Sequence, residues 1–210
     1  MFDFKKEFKE IYSAKKIPAI ITVPKINYVA VKGAGNPNDE GGAYQQAIQI
    51  LYSISYTLKM SYKTDYKIEK FFEYVVPPLE SFWWQENFKT VDLAHKEKFN
   101  WIAAIHLPDF IAEKNFEWAK ETASKKKKIN CDAAKFLTIE EGLCAQILHT
   151  GSFDNESETI STMEKFIADG GYENNFENEF FHHEIYLNDA RKVAKDKLKT
   201  IIRHRIKKIR

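Results

Sequence analysis

The residues with the clearest chemical content lie in "HHEIYLNDAR" (182–191). Its aromatic and aliphatic density predicts a β-strand. Alternation along a strand sends His182, Glu184 and Tyr186 to one face and His183, Ile185 and Leu187 to the other. With the aliphatic pair expected against helices, Glu184 is expected to look into an open face of the sheet, a carboxylate among aromatics. Burial there disfavours the charged form and raises the pKa, the setting a general base needs. Tyr186 offers a hydroxyl to a substrate oxygen that gains charge. His182 and Glu184 form an HxE pair compatible with a metal, yet no third ligand is evident and His183 points away, so no metal is expected.

The second motif is "VVPPLESFWW" (75–84). Two adjacent indoles in extended geometry cannot both enter one core, so one is free to wall a pocket. Trp84 is assigned that role, with Trp101 as its partner in a stacking clamp around a flat ligand. Tyr74 and Phe72, on one face of the preceding segment, are candidates for the same groove, and so is Tyr44 on a long helix. Other chemistries have less support. The loop "GAGNPNDEGG" lacks the lysine and hydroxyl of a P-loop and the third glycine of a dinucleotide fingerprint. No serine sits in a nucleophile elbow, and Cys131 and Cys144 form no CxxC pair, as befits ordinary thiols in a reducing compartment. No cofactor is expected.

These side chains need a scaffold. "INYVAVKGAG" (26–35) has strand composition and ends at glycines, and a helix from Ala43 to about Leu58 follows from apolar residues at helical spacing. Two strands are expected next, at 67–76, closed by Pro77 and Pro78, and at 98–107, closed by Pro108. A helix over about 109–125, with Asp109 as its cap, leads to a second series: strand, turn at "EEG" and strand within 134–153, helix 157–168, "HHEIYL" and "KTIIRHRIK". The order strand, helix, strand, strand thus occurs twice, in modules at about 26–107 and 134–207. The expected fold class is α+β, an antiparallel sheet with helices on one face and a ligand groove on the other, in a single domain over 1–210.

Composition sets limits on partners. The chain has 210 residues, 44% of them hydrophobic and 14% aromatic, enough for a sizeable core. Lys+Arg total 32 against 30 Asp+Glu, so charge alone does not argue for nucleic acid. The basic stretch 191–210 and the acidic stretch 154–179 read as solvated surfaces that offset each other. The N-terminus is charged and lacks the apolar core of a signal peptide, and no run reaches the length of a membrane span. The expectation is a cytoplasmic protein, able to act as a monomer, without nucleic-acid or membrane partners.

The phrases "VVPPLESFWW", "FNWIAAIHLPDFI" (99–111), "EEGLCAQILHTGSF" (140–153), "HHEIYLNDAR" and "KLKTIIRHRIK" (197–207), in this order and at these distances, resemble the GyrI-like small-molecule-binding family, in its stand-alone branch. Multidrug-responsive regulators of the family carry a DNA-binding module before this domain, and about 25 residues ahead of the first strand are too few for one. The resemblance implies an apolar pocket holding an acidic residue, here Glu184, and a hydrophobic planar small molecule as partner. Some stand-alone members hydrolyse the cyclopropane ring of DNA-alkylating cyclopropanoid toxins, which protects the cell. By that analogy Glu184 and Tyr186 are the catalytic candidates, and Trp84, Trp101, Tyr74, Phe72, His182 and Tyr44 the substrate-binding ones. A non-catalytic protein that sequesters such molecules is the alternative, and an inhibitor that binds another protein such as a topoisomerase is a third, by family analogy alone.

Overall fold

In the computed structural model, residues 1–86, 92, 94–176 and 182–209 are described. The fold is α+β. Its antiparallel sheet uses β2 (Ala19–Ala34), β4 (Leu79–Trp84), β5 (Asn100–His106), β6 (Ala134–Thr150), β7 (Tyr172–Asn174), β8 (His182–Tyr186) and β9 (Lys199–Lys208), ordered β6-β2-β5-β4-β8-β9-β7. A further pairing, β6 with β9, closes six of these strands into a ring. Short strands β1 (Phe2–Asp3) and β3 (Tyr74–Val75) pair with each other apart from it. Among the described residues no helix is long and apolar enough to cross a membrane.

The outside of the ring carries the long helices. Helix α3 (Ala43–Lys59) buries Ala47, Leu51, Ile54 and Leu58, spaced three or four apart, on Val29, Val31, Trp101, Ala103 and Ile105. Helix α4 (Glu113–Lys127) packs on the same cluster through Phe116, Ala119 and Ala123. Helix α5 (Glu156–Asp169) covers the other half, with Met163 and Ile167 on Ala145, Ile147, Ile202 and Ile206. Trp101 lies flat against β2: a Cβ built at Gly33 would stand 2.3 Å from its ring. Gly33→Ala should therefore cost about 1–3 kcal/mol in chemical denaturation, the usual penalty of overpacking; unchanged stability would mean that Trp101 moves aside freely.

The inside of the ring is filled by Tyr28, Ala30, Phe82, Ile102, Ala104, Ile185 and Ile201, with Phe4, Ile11 and Tyr12 from short N-terminal helices α1 (Phe4–Glu7) and α2 (Lys9–Tyr12) against one end. It also holds a charged network. Arg203 reaches Glu141 at 3.2 Å, His183 reaches Glu141 at 3.0 Å and Glu80 at 3.0 Å, and the Tyr12 hydroxyl donates to Glu80 at 2.8 Å. Arg203 also donates to the Ile11 carbonyl at 2.6 Å, which ties α2 to β9. The basic C-terminal strand is thus not wholly a solvated surface, since Arg203 is fully buried.

Several local expectations need correction. Over 67–76 only Tyr74–Val75 is extended, and the strand of the main sheet follows the two prolines instead of ending at them. A proline lacks the N–H that a central strand must donate, so "LESFWW" is the ladder-competent stretch. The "EEG" turn does not form: β6 runs through it, with Gly142 at φ 68°, and pairs with β2 along most of its length and with β9 at its end. Helix α4 starts at Glu113 with Ala112, not Asp109, at its N-cap, and Asn115 in the first turn accepts from the Ala112 N–H. The expected facing of β8 is reversed. Ile185 belongs to the inside cluster, while Glu184 lies on the side that carries α3 and α5.

Candidate functional site

Strands β4 and β8 are neighbours, with Ser81 opposite Glu184 and Trp83 opposite His182. Alternation puts these four side chains on the outer face, in the gap between the start of α3 and the start of α5. A cavity of about 1280 Å³ opens there, and its wall includes Tyr44, Trp83, Phe99, Phe153, Glu156, Glu184 and Tyr186. The aromatic members support one another: Trp83 lies 5.0 Å from Tyr44 and 5.4 Å from Phe99, and Phe153 meets Tyr186 edge-on at 5.5 Å. The cavity is larger than a single ring system requires.

The carboxylate that shares this space with Glu184 is Glu156, the first residue of α5. It is fully buried, and neither of its oxygens has a hydrogen-bond partner. His182 stands between the two: its Nε2 is 3.2 Å from Glu184 Oε1 and 3.6 Å from Glu156 Oε2, the latter an ion-pair distance. Burial, and then the charge of Glu184, push the Glu156 carboxyl up to about 8. Burial alone would push the His182 imidazole down, but the two carboxylates outweigh it and hold it up at about 9. At neutral pH Glu156 is therefore a neutral acid beside the His182 imidazolium. These three residues are also the group of donors, among those described, close enough to share a metal ion, within 4.8 Å.

Tyr186 closes the other side of Glu184. Its oxygen accepts from Trp83 Nε1 at 3.3 Å and from the Tyr44 hydroxyl at 3.5 Å. Tyr44 is fixed in turn by Ser81 Oγ at 2.6 Å. Burial first, then the charge of Glu184, keep the Tyr186 hydroxyl protonated far above neutrality.

The structure therefore brings Glu184, Tyr186 and Tyr44 to one cavity, with His182 directly behind them. The other candidates lie elsewhere. Trp84 is on the inside face with Phe82, under the Lys32 ammonium at 5.4 Å, and Trp83 holds the wall position expected of it. Only one of the two adjacent indoles can face outward, and the register with His182 makes it Trp83. Trp101 is on the outer side but buried behind Tyr44, edge-on at 5.2 Å, and its Nε1 has no hydrogen-bond partner. Tyr74 and Phe72 pack with Phe4, Phe2 and Phe110 near the N-terminus, away from Glu184, because their segment is not a strand of the main sheet. The residues that sequence reasoning missed are Glu156, Trp83 and Phe153. Glu156 had a signal: it stands in the first turn of the second module's helix, as Tyr44 stands in the first turn of the first module's.

Comparison with known proteins agrees with this geometry. No curated protein matches the chain. Three solved structures from Listeria innocua do: a protein described as a hydrolase (38% identity, TM-score 0.89, covering 99% of this chain and 100% of that one), an uncharacterized conserved protein (41%, 0.92, 99% and 100%) and a second described hydrolase (40%, 0.90, 98% and 99%). The family model for the GyrI-like small molecule binding domain matches residues 18–207. A cavity walled by aromatics between two helix starts, relatives alike over nearly their whole length, and a family match from β2 to β9 lead to one assignment: the chain belongs to the GyrI-like small molecule binding domain family.

Proposed function

We propose that this protein binds flat, hydrophobic small molecules in the cavity between α3 and α5 and hydrolyses a strained cyclopropane ring in them, as in DNA-alkylating cyclopropanoids. The observation that carries the reading is the pair of buried carboxyls, Glu156 and Glu184, joined by His182 on an aromatic wall. Two carboxyls whose environments drive their proton affinities apart supply an acid and a base at one pH. The relatives described as hydrolases support an activity of this class.

In the proposed reaction the ligand carries a cyclopropane spiro-linked to a dienone. Glu184 removes a proton from water as the water oxygen attacks the ring CH₂. The C–C bond breaks, its electron pair moves through the ring to the carbonyl oxygen, and the ring aromatises. Glu156, protonated at neutral pH, gives that oxygen its proton. The products are a primary alcohol and a phenol. Tyr186 aims Glu184, while Trp83, Tyr44 and Phe99 hold the planar unit so that the attack is effectively unimolecular.

Loss of dienone absorbance tests the reading: many equivalents consumed per protein support hydrolysis, and a dienone that persists with the protein in excess indicates sequestration. Sequestration is the second reading because the aromatic wall beside the Glu184 side chain also suits a bound cation. Trp83→Ala should weaken binding of a planar ligand by about 1–3 kcal/mol, read by fluorescence titration, while Trp84→Ala should leave it within a few-fold. The opposite ranking would move the ligand to the other face of β4.

A further inference from the structure

We propose that His182 carries protons between Glu184 and Glu156 after each turnover, and that His204 and Glu164, outside the cavity, are positioning residues that restrict this exchange to its Nε2. The proposal rests on the hydrolytic reading above. Its basis is a chain of hydrogen bonds behind the site. His182 Nδ1 is 2.9 Å from His204 Nε2, and His204 Nδ1 is 3.2 Å from Glu164 Oε1. Glu164 is held by Asn174 Nδ2, 2.8 Å from both of its oxygens.

The proton positions follow by elimination. An ionised carboxylate only accepts, so His204 Nδ1 must donate to Glu164. Burial pushes the His204 imidazole down despite Glu164, so the ring is neutral and its Nε2 is an acceptor. His182 Nδ1 must therefore carry a proton at all times. The charged and titratable groups around His182 are Glu184 from its own strand, Glu156 and Glu164 from α5 and His204 from β9; Arg203 and His183 serve the network inside the ring. Only Nε2, turned to Glu184 and Glu156, is left to exchange.

That restriction solves a problem the reaction creates. After hydrolysis Glu184 holds the proton taken from water, and Glu156 has lost the one given to the phenol oxygen. Were nothing to connect them, each cycle would wait for solvent to reach two buried groups. With Nδ1 fixed, the reset takes two transfers: the Nε2 proton passes to Glu156, and the Glu184 proton refills Nε2. Every group returns to its starting state, and no proton enters or leaves. A histidine free to release either proton would need a tautomer change before the next cycle.

His204→Phe removes the acceptor and leaves the cavity wall intact. On a spirocyclopropane dienone its first turnover should run near the wild-type rate, since acid and base start correctly charged, while steady-state kcat falls about 10–100-fold, the usual effect of removing a histidine's supporting partner. KM should fall in the same proportion, leaving kcat/KM unchanged, because the slowed step follows chemistry. A burst of one equivalent is therefore expected, and His204→Gln, whose amide oxygen can accept from Nδ1, should abolish the burst and recover much of kcat. Equal losses in the first and later turnovers, or none, would overturn the proposal while leaving hydrolysis intact; absence of turnover by the wild type would overturn the hydrolytic reading itself. Should His204→Phe fail to fold, ¹⁵N NMR of the wild-type histidines decides: a protonated His182 Nδ1 across neutral pH is expected, and a bare one contradicts the proposal.

Discussion

Glu184→Gln is expected to lower kcat about 10²–10⁴-fold, the usual contribution of a positioned general base, while affinity for a neutral planar ligand stays within a few-fold. Glutamine keeps the shape of the side chain and most of its contacts but cannot take the proton of the attacking water. The same substitution carries a second signature in pH. Part of what holds the Glu156 carboxyl up at about 8 is the negative charge of Glu184 beside it. Removing that charge lets Glu156 ionise at lower pH, so the alkaline limb of the residual activity should move down from the wild-type position. A variant with wild-type turnover would leave Glu184 without an acid–base role. A limb that stays in place would mean that Glu156 is not the acid.

Arg203→Met is expected to destabilise the fold by roughly 3–5 kcal/mol, because it removes one partner of a fully buried ion pair and leaves Glu141 charged inside the ring. Burial would push the Glu141 carboxyl up, but His183 and Arg203 outweigh it and bring it down to about 2. A carboxyl lowered in the folded state contributes stability that is present above its unfolded value and is lost as pH falls through the folded one. The wild type should therefore lose stability in acid, between about pH 4.5 and pH 2. His183 has the opposite sign: held up by Glu141 and Glu80 against the effect of burial, it contributes most below its ordinary value and less as pH rises past its folded one. In Arg203→Met the acid loss should shrink, since one of the two groups that lower Glu141 is gone. Urea denaturation across pH reads both effects, and a variant within about 1 kcal/mol of wild type at neutral pH would show that the network adds little to stability.

The periodic elements were legible because their signals are local. Helix α3 shows its buried stripe at spacings of three and four, and β5 shows an apolar run, WIAAI, so both can be read without knowing what covers them. The stretch before β4 misled because "KFFEYVV" is as apolar as a strand, and only the place of the prolines relative to the ladder separates the two readings. Alternation correctly grouped His182 with Glu184 and Tyr186, but it cannot say which face of a sheet is covered by helices. That depends on the closure of β6 onto β9, a pairing between segments some fifty residues apart. The choice of Trp84 over Trp83 followed from the same gap, since one residue of register turns a tryptophan from one face to the other. Glu156 was hidden for a different reason: an acidic residue in the first turn of a helix reads as ordinary dipole pairing, and only the packing of α5 against β8 turns it into a buried acid.

The most direct measurement is mass spectrometry of a spirocyclopropane dienone incubated with catalytic amounts of the protein in ¹⁸O-enriched water. The account predicts complete conversion to a product heavier by one water, with the label in the new CH₂OH group and none in the phenol oxygen. Unchanged starting material recovered from the protein would contradict hydrolysis and leave a binding protein. A label in the phenol oxygen would contradict attack at the ring carbon, and with it the roles given to Glu184 and Glu156.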